Sequence, residues 1–241
     1  IDLKPCGFPE CAGILSDCGA PQSLPQFEQG LFHVQDISAQ LICEILNPQP
    51  GETVCDCCAA PGGKTFTAAE MMQNKGKLIA FDLYRGRVGL IRDGAQRLGL
   101  DIVTARRNDA LLGFPDLEPV DRMLCDVPCS GYGVIRRKPE IRYKDVSSVS
   151  ELPTIQYGIL QNASKVVKSG GVLVYSTCTL NPAENNLVAE RFLKENDGFI
   201  PMKIELPASI QRRSKEADHM FTMMPFSGAS DGFFAAAFRK K

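Results

Sequence analysis

No apolar run in this 241-residue sequence approaches the ~20 residues that a membrane helix requires, and no positively charged start leads into an apolar stretch as a secretory signal would. A large excess of one charge is missing too. The 27 Lys and Arg against 28 Asp and Glu leave a formal net charge of −1. That excludes a strongly basic nucleic-acid binder but not a local basic surface, because phosphate binding depends on where the charges sit. Histidine is scarce: only His33 and His219 are present. Neither stands near Cys55-x-x-Cys58 in sequence and no second CxxC accompanies that pair, so no metal site is expected. Internal repeats, low-complexity segments and the compositional signs of disorder, collagen or coiled coil are also absent.

What remains is an ordinary globular chain, 44% hydrophobic and 23% charged, long enough for one large domain with at most a small appendage. Its ten cysteines, at 6, 11, 18, 43, 55, 57, 58, 125, 129 and 178, follow no regular framework. Without a secretion signal they fit a reduced, cytoplasmic protein, where cysteines serve as small core residues, catalytic groups or metal ligands. The first residue is Ile1 rather than Met, which suggests that the start of a longer natural chain has been removed.

Residues 1–30 read as irregular, broken by Gly7, Pro9, Gly13, Gly19, Pro21 and Pro25. Residues 1–34 are therefore expected to form an arm and residues 35–241 the main domain. In that domain Ile37, Leu41 and Ile45 recur at helical spacing behind a capping Asp36, and Pro48 and Pro50 end the helix. Strands are expected at Thr53–Cys57, Lys77–Phe81, Ile102–Ala105, Arg122–Cys125, Val172–Ser176 and Phe233–Phe238. Helices are expected over about 64–73, 87–98 and 155–166, the last stopping at Gly170-Gly171, and from the Asn181-Pro182-Ala183-Glu184 cap to about Asn196. Strands alternating with helices of this length imply an α/β fold with a parallel, doubly wound sheet.

In such a sheet ligands bind beyond the carboxyl ends of the strands, and the chemically unusual residues fall there repeatedly. The first strand runs into Asp56-Cys57-Cys58-Ala59-Ala60-Pro61-Gly62-Gly63-Lys64, and the second ends in Asp82. The fourth ends in Asp126-Val127-Pro128-Cys129 and the fifth in Thr177-Cys178. Gly63-Lys64-Thr65 before a helix is similar to the phosphate loop of P-loop nucleotide hydrolases. That loop needs a glycine where Cys58 stands, however, and Pro61 removes a backbone N–H from a turn that works by pointing N–H groups at phosphate. The other reading is a glycine turn that admits a small cofactor, with Asp82, 20 residues beyond Gly62, taking ribose hydroxyls. Glycines placed for packing alone are a third. For Cys55 and Cys57 core packing is the better account. Cys129 and Cys178 are open to the same reading one at a time, but each follows a strand end that faces the presumed cofactor.

The segments GLFHVQDISAQL (30–41), DCCAAPGGKT (56–65), DVPCSG (126–131) and STCTLNPAENN (176–186) resemble the successive motifs of the Sun/Fmu family of RNA 5-methylcytosine methyltransferases, closest to its bacterial small-subunit ribosomal RNA type. The resemblance runs from about Leu24 to the carboxyl end, and departs from the family's usual first motif only at Cys57. It implies a Rossmann-like class I methyltransferase sheet, S-adenosylmethionine as cofactor and RNA as partner, with 16S ribosomal RNA the expected substrate and transfer RNA the alternative. It gives Cys178 the role of nucleophile toward carbon 6 of cytosine and Cys129 a part in releasing the product. Asp126 is expected beside the cytosine ring and the methyl group. Cys58, Ala59, Ala60, Pro61, Gly62, Gly63 and Lys64 are expected around the methionine part of the cofactor, Asp82 at its ribose and Asp109 at its adenine; Lys64 alternatively only begins its helix. The family also carries an amino-terminal RNA-binding domain, of which residues 1–34 would be the remnant. Two basic groups, Arg136-Arg137-Lys138 with Arg142 and Lys144, and Arg212-Arg213 with Lys215, are either solvated surface or RNA contacts.

Overall fold

The computed structural model of the protein describes residues 2–5, 12–206, 210, 216–225 and 230–241. Where the first 30 residues predict irregular chain, β1 (Asp2–Pro5) and β2 (Gly13–Ser16) pair as an antiparallel hairpin. Pairing through the backbone alone leaves no apolar period to read. A single turn, α1 (Pro25–Glu28), opens on a proline at its first position. The chain then docks onto later helices. The Arg97 guanidinium donates to the carbonyls of Phe27 and Phe32 at 2.6 and 3.1 Å and stacks 3.7 Å from the Phe27 ring.

Helix α2 (Ile37–Leu46) forms as its spacing predicts. Asp36 accepts from the Ser38 backbone N–H at 2.9 Å, Leu41, Ile42, Ile45 and Leu46 face inward, and Asn47 closes it in the left-handed region ahead of Pro48. After it come β3 (Thr53–Asp56), α3 (Gly63–Met71), β4 (Lys77–Asp82), α4 (Arg85–Arg97), β5 (Val103–Arg107) and β6 (Val120–Asp126). The chain continues through α5 (Leu152–Lys165), β7 (Val167–Thr177), α6 (Asn186–Glu195), β8 (Phe199–Pro201), β9 (Met220–Met223) and β10 (Phe233–Lys240). The strand order is β5-β4-β3-β6-β7-β10-β8, with β9 also paired to β10. Strands β3 to β7 are mutually parallel; β10 runs antiparallel to β7, and β8 and β9 antiparallel to β10. The sheet is thus doubly wound but mixed at one side.

Alternation along the strands supplies two cores. Val54, Leu78, Leu124, Val174 and Ala235 face α2, α3 and α4. Cys55, Met123, Cys125, Leu173, Tyr175 and Phe238 face α5 and α6. Because both faces are covered at the centre of the sheet, β7 from Gly171 and β10 to Phe238 read as near-continuous buried runs, whereas the edge strand β5 is polar and largely exposed. Phe192 on α6 packs between Phe199 and Phe238, ring centroids 5.2 and 4.9 Å away, and its full burial contributes about 2–3 kcal/mol.

Three further details differ from the periodicity. Gly170-Gly171 lies inside β7, not at a helix end: β7 starts at Val167, and a register shift against β6 between Val120 and Arg122 absorbs the extra residues, with Gly170 at φ +76°. β8 and β9, of three and four residues, are too short to show a period. Asn181 does cap, accepting from the Ala183 N–H at 3.1 Å, but opens only a one-turn 3-10 helix before α6.

Candidate active site

Chain direction reverses beside β3, where the path goes out through β4 to β5 and returns to β6. The carboxyl ends of β3, β4, β6 and β7 therefore surround one crevice. Into it run the turn after β3, the loop after β6 and the loop after β7.

The turn 57–62 is held by backbone bonds on both sides: the Cys57 N–H donates to the Leu124 carbonyl at 3.0 Å and the Ala59 N–H to the Phe81 carbonyl at 2.7 Å. Gly62, at φ +117°, turns the chain into α3, and a Cβ there would lie 2.3 Å from the Phe66 ring. Asp82 is almost wholly covered. It accepts from the Ala60 and Tyr84 N–H groups at 3.3 and 3.1 Å, which ties the end of β4 to this turn. Arg87 bridges the same two elements, 3.5 Å from Asp82 and 2.8 Å from the Ala60 carbonyl. Asp109 stands two strands from β3, at the end of β5, and caps the Ala110–Leu112 turn by accepting from the Leu111 N–H at 3.0 Å.

Lys64, on the first turn of α3, reaches across to β6. Its ammonium lies 2.7 Å from Asp126 Oδ2 and 4.7 Å from the centre of the Phe233 ring. Burial disfavours the ammonium charge, yet the Asp126 carboxylate outweighs this and raises the Lys64 pKa. Ser176 donates to the other Asp126 oxygen at 2.9 Å. At the floor of the crevice Asp56 is buried; burial raises its carboxyl to about pKa 7, tempered by the Thr65 hydroxyl 2.8 Å from Oδ2. Its Oδ1 is buried without a hydrogen-bond partner.

Cys129 and Cys178 come together from separate loops, Sγ to Sγ 3.0 Å. A donated S–H from Cys129 lowers the Cys178 thiol below its ordinary value; burial and Asp126 oppose this and the Lys64 ammonium supports it. Cys129, half-buried and in contact with Cys178, is raised well above the usual thiol range. The contact with Cys129 and the nearby Lys64 ammonium thus favour the thiolate form at Cys178. Cys55 and Cys125 differ: burial alone is enough to push both up, and they lie in the core under α5 and α6. Cys58 is half-buried, its sulfur 4.0 Å from that of Cys57. Among the described residues no group of three or more His, Cys, Asp or Glu side chains is placed to hold a metal, and no helix is long and apolar enough to cross a membrane.

Sequence reasoning missed Glu184. Instead of closing a capping box, its carboxylate is fully buried. It accepts from the Ser130 N–H (2.8 Å) and hydroxyl (2.6 Å), the Gln156 amide (2.9 Å) and the Asn181 amide (2.9 Å). The signal available was the density of polar residues from Thr177 to Asn185, too many for one helix cap. The basic group after Cys129 is partly engaged. Arg137 Nε donates to buried Asp231 at 2.6 Å, Arg136 lies 3.7 Å from the same carboxylate, and Lys144 donates to the Ser130 carbonyl at 3.0 Å. Arg212, Arg213 and Lys215 lie outside the described residues.

The family model for 16S rRNA methyltransferase RsmB/F matches residues 43–239. A "Probable ribosomal RNA small subunit methyltransferase B" of Synechocystis sp. is 40% identical over 97% of this chain, and one of Bacillus subtilis 42% identical over 89%. The chain spans about half the length of these curated relatives, 53% and 49%. Among solved structures, a methyltransferase homologue protein from Pyrococcus horikoshii superposes with TM-score 0.82 at 32% identity, covering all of this chain and 78% of that one. NSun6 from Pyrococcus horikoshii, solved with SFG, an analogue of S-adenosylmethionine, gives 0.82 at 30% identity over 91% of this chain and 56% of that one. With most of its length matched and its sheet shared with S-adenosylmethionine-dependent methyltransferases, this chain belongs to the 16S rRNA methyltransferase RsmB/F family.

Proposed function

We propose that residues 35–241 form the catalytic domain of an RNA cytosine-5 methyltransferase acting on 16S ribosomal RNA, with Cys178 as nucleophile, and that residues 1–34 are the remnant of an RNA-binding subdomain. The observation that carries this reading is the 3.0 Å contact between Cys129 and Cys178 beside Asp126, at the crevice where the turn 57–62 opens.

Carbon 5 of cytosine is a weak nucleophile. Addition of the Cys178 thiolate to carbon 6 forms a C–S bond and turns the ring into an enamine whose carbon 5 can accept a methyl group. Addition breaks the carbon 5–carbon 6 π bond and pushes negative charge toward ring nitrogen 3. That nitrogen takes up a proton delivered through Asp126, paired with the Lys64 ammonium, while the carboxylate is suited to accept from the amino group. When bound, S-adenosylmethionine supplies the methyl group as a sulfonium electrophile. Solvent water then takes the carbon-5 proton, the freed bonding pair restores the carbon 5–carbon 6 double bond, and the C–S pair leaves with Cys178 as its thiolate. Cys129, in contact with that sulfur, assists this departure. The target base has to leave its stack to reach the crevice.

The residues suit the cofactor. Cys58, Ala59, Ala60, Pro61, Gly62, Gly63 and Lys64 form a tight turn at a helix start, and the unpartnered Asp56 Oδ1 offers a place for a cationic amine. Asp82 would take the ribose hydroxyls and Asp109 the adenine edge; each keeps acceptor capacity beyond its backbone bonds.

The test is methyl transfer from radiolabelled S-adenosylmethionine to 16S ribosomal RNA, with transfer RNA in parallel and 5-methylcytosine mapped in each. Cys178→Ala should abolish transfer and Cys129→Ala should accumulate a covalent protein–RNA adduct. Full activity in Cys178→Ala overturns the mechanism, and product only in transfer RNA overturns the substrate.

A further inference from the structure

Nothing in the reaction just described uses Glu184, yet it is the most heavily bonded buried side chain near the thiols. Four neutral donors converge on one carboxylate, and a carboxylate can accept all four at once. Two of the donors belong to Ser130, the neighbour of Cys129. The Ser130 hydroxyl, having given its proton to Glu184, accepts from the Thr179 hydroxyl at 2.7 Å, and Thr179 is the neighbour of Cys178. A third donor, Gln156 on α5, also donates to the Pro128 carbonyl at 2.9 Å, on the other side of Cys129. The loops bearing the two sulfurs follow different strands, β6 and β7. Glu184 therefore anchors one flank of Cys129 directly at Ser130, the other at Pro128 through Gln156, and one flank of Cys178 through the Ser130 hydroxyl and Thr179.

We propose that Glu184 is a positioning residue for the thiol pair: through Ser130, Thr179 and Gln156 it fixes the gap between Cys129 and Cys178, and so governs release of the covalent adduct. In release the C–S bond breaks and its electron pair stays on Cys178. A Cys129 S–H held against that sulfur donates to the departing thiolate, which makes it a better leaving group. The donation survives only a short separation, so an ångström of slack in either loop removes it. The inference rests on the proposed covalent chemistry, but the gap itself is measurable without RNA.

Glu184→Gln keeps the shape and places an N–H pair against donors that need acceptors. Ser130→Ala removes one hydroxyl and is the milder second variant should the first fold poorly. Alkylation of Cys178 by iodoacetamide, followed against pH and located by peptide mass spectrometry, reads the gap with no substrate present. Loss of the Cys129 donor moves the profile toward higher pH, and the rate near neutrality falls about tenfold each time the midpoint rises by one on the pH scale. Removing a negative charge without moving the loops would move it the other way. With 16S ribosomal RNA and S-adenosylmethionine, both variants should lower kcat, leave KM for the cofactor unchanged and accumulate adduct, as Cys129→Ala does. An alkylation profile that stays in place or moves toward lower pH in folded Glu184→Gln and Ser130→Ala overturns the positioning role. Absence of any adduct in Cys129→Ala overturns the covalent reading and leaves the alkylation result to stand by itself.

Discussion

The ammonium of Lys64 and the carboxylate of Asp126, 62 positions apart in the chain, meet at 2.7 Å in the mouth of the crevice. Ser176 holds the second carboxylate oxygen, so the pair is oriented from both ends. Lys64 is the nearby cation that favours the thiolate at Cys178, whereas Asp126 opposes it. Lys64→Met should leave Asp126 uncompensated and destabilise the fold by roughly 2–3 kcal/mol. That is less than for a fully sealed pair, because Asp126 is still a quarter exposed. Thermal denaturation checks the loss, and alkylation of Cys178 should become slower at neutral pH in the same variant.

The asymmetry between the two thiols is a second testable consequence. Cys178 is lowered chiefly by its contact with Cys129, and both residues are half-buried. At pH 7 iodoacetamide should label Cys178 well ahead of Cys129, with labelling rising through a midpoint below that of an ordinary thiol. Cys129→Ala removes the donor, so the midpoint of Cys178 should move upward. Equal labelling of both residues, or a midpoint unmoved by Cys129→Ala, would contradict the assignment of the proton to Cys129.

Much of this arrangement was legible in the sequence because strand ends and turn chemistry are local. Asp36, Gly62 and the sequences after β3, β6 and β7 each announce a cap, a turn or a strand end within a few residues, and a parallel sheet then forces those ends to one edge. Pairings that depend on long-range approach left no such trace. Glu184 satisfied the pattern of a helix cap, and only the fold brings Ser130 within 2.8 Å of it. Arg137 read equally as solvated surface or RNA contact, until the segment leading into β10 placed Asp231 beside it. The first hairpin and β8 and β9 are too short or too exposed to carry a period, and the antiparallel return of β10 follows from topology, not composition.

Asp56 gives the fold a pH dependence of definite sign. Its carboxyl sits near pKa 7 when folded, against 3.8 for an unperturbed aspartate, so the folded state holds this proton more tightly than the unfolded chain. Its stabilising contribution is fully present below about 3.8, declines between there and 7, and is absent above. Asp56→Asn keeps an acceptor for Thr65 and removes the titration. The variant should be more stable than the parent at pH 8, by up to a few kcal/mol, with the advantage shrinking toward pH 4. Urea denaturation at the two pH values decides it, and an advantage that grows on acidification would contradict burial as the dominant cause.

Glycine is demanded by crowding at one position beside the thiols. Gly133 donates its N–H to the Cys178 carbonyl at 3.0 Å and accepts from the Gly232 N–H at 2.8 Å. A Cβ there would stand 2.0 Å from the Gly232 carbonyl oxygen and 2.8 Å from that of Cys178, and neither backbone atom can swing away as a side chain would. Gly133→Ala should therefore cost about 1–3 kcal/mol of stability and push the Cys178 loop away from Cys129. Methylation should fall much further than the stability loss explains, since the bulk of the folded population would hold a separated thiol pair. Gly89, in the middle of α4 with nothing within 4 Å of its would-be Cβ, is the control. Gly89→Ala should raise stability by about 0.5–1 kcal/mol through helix propensity and leave methylation unchanged. Equal behaviour of the two alanine variants, in melting temperature and in transfer to 16S ribosomal RNA, would mean that backbone contact at Gly133 does not hold Cys178 in place.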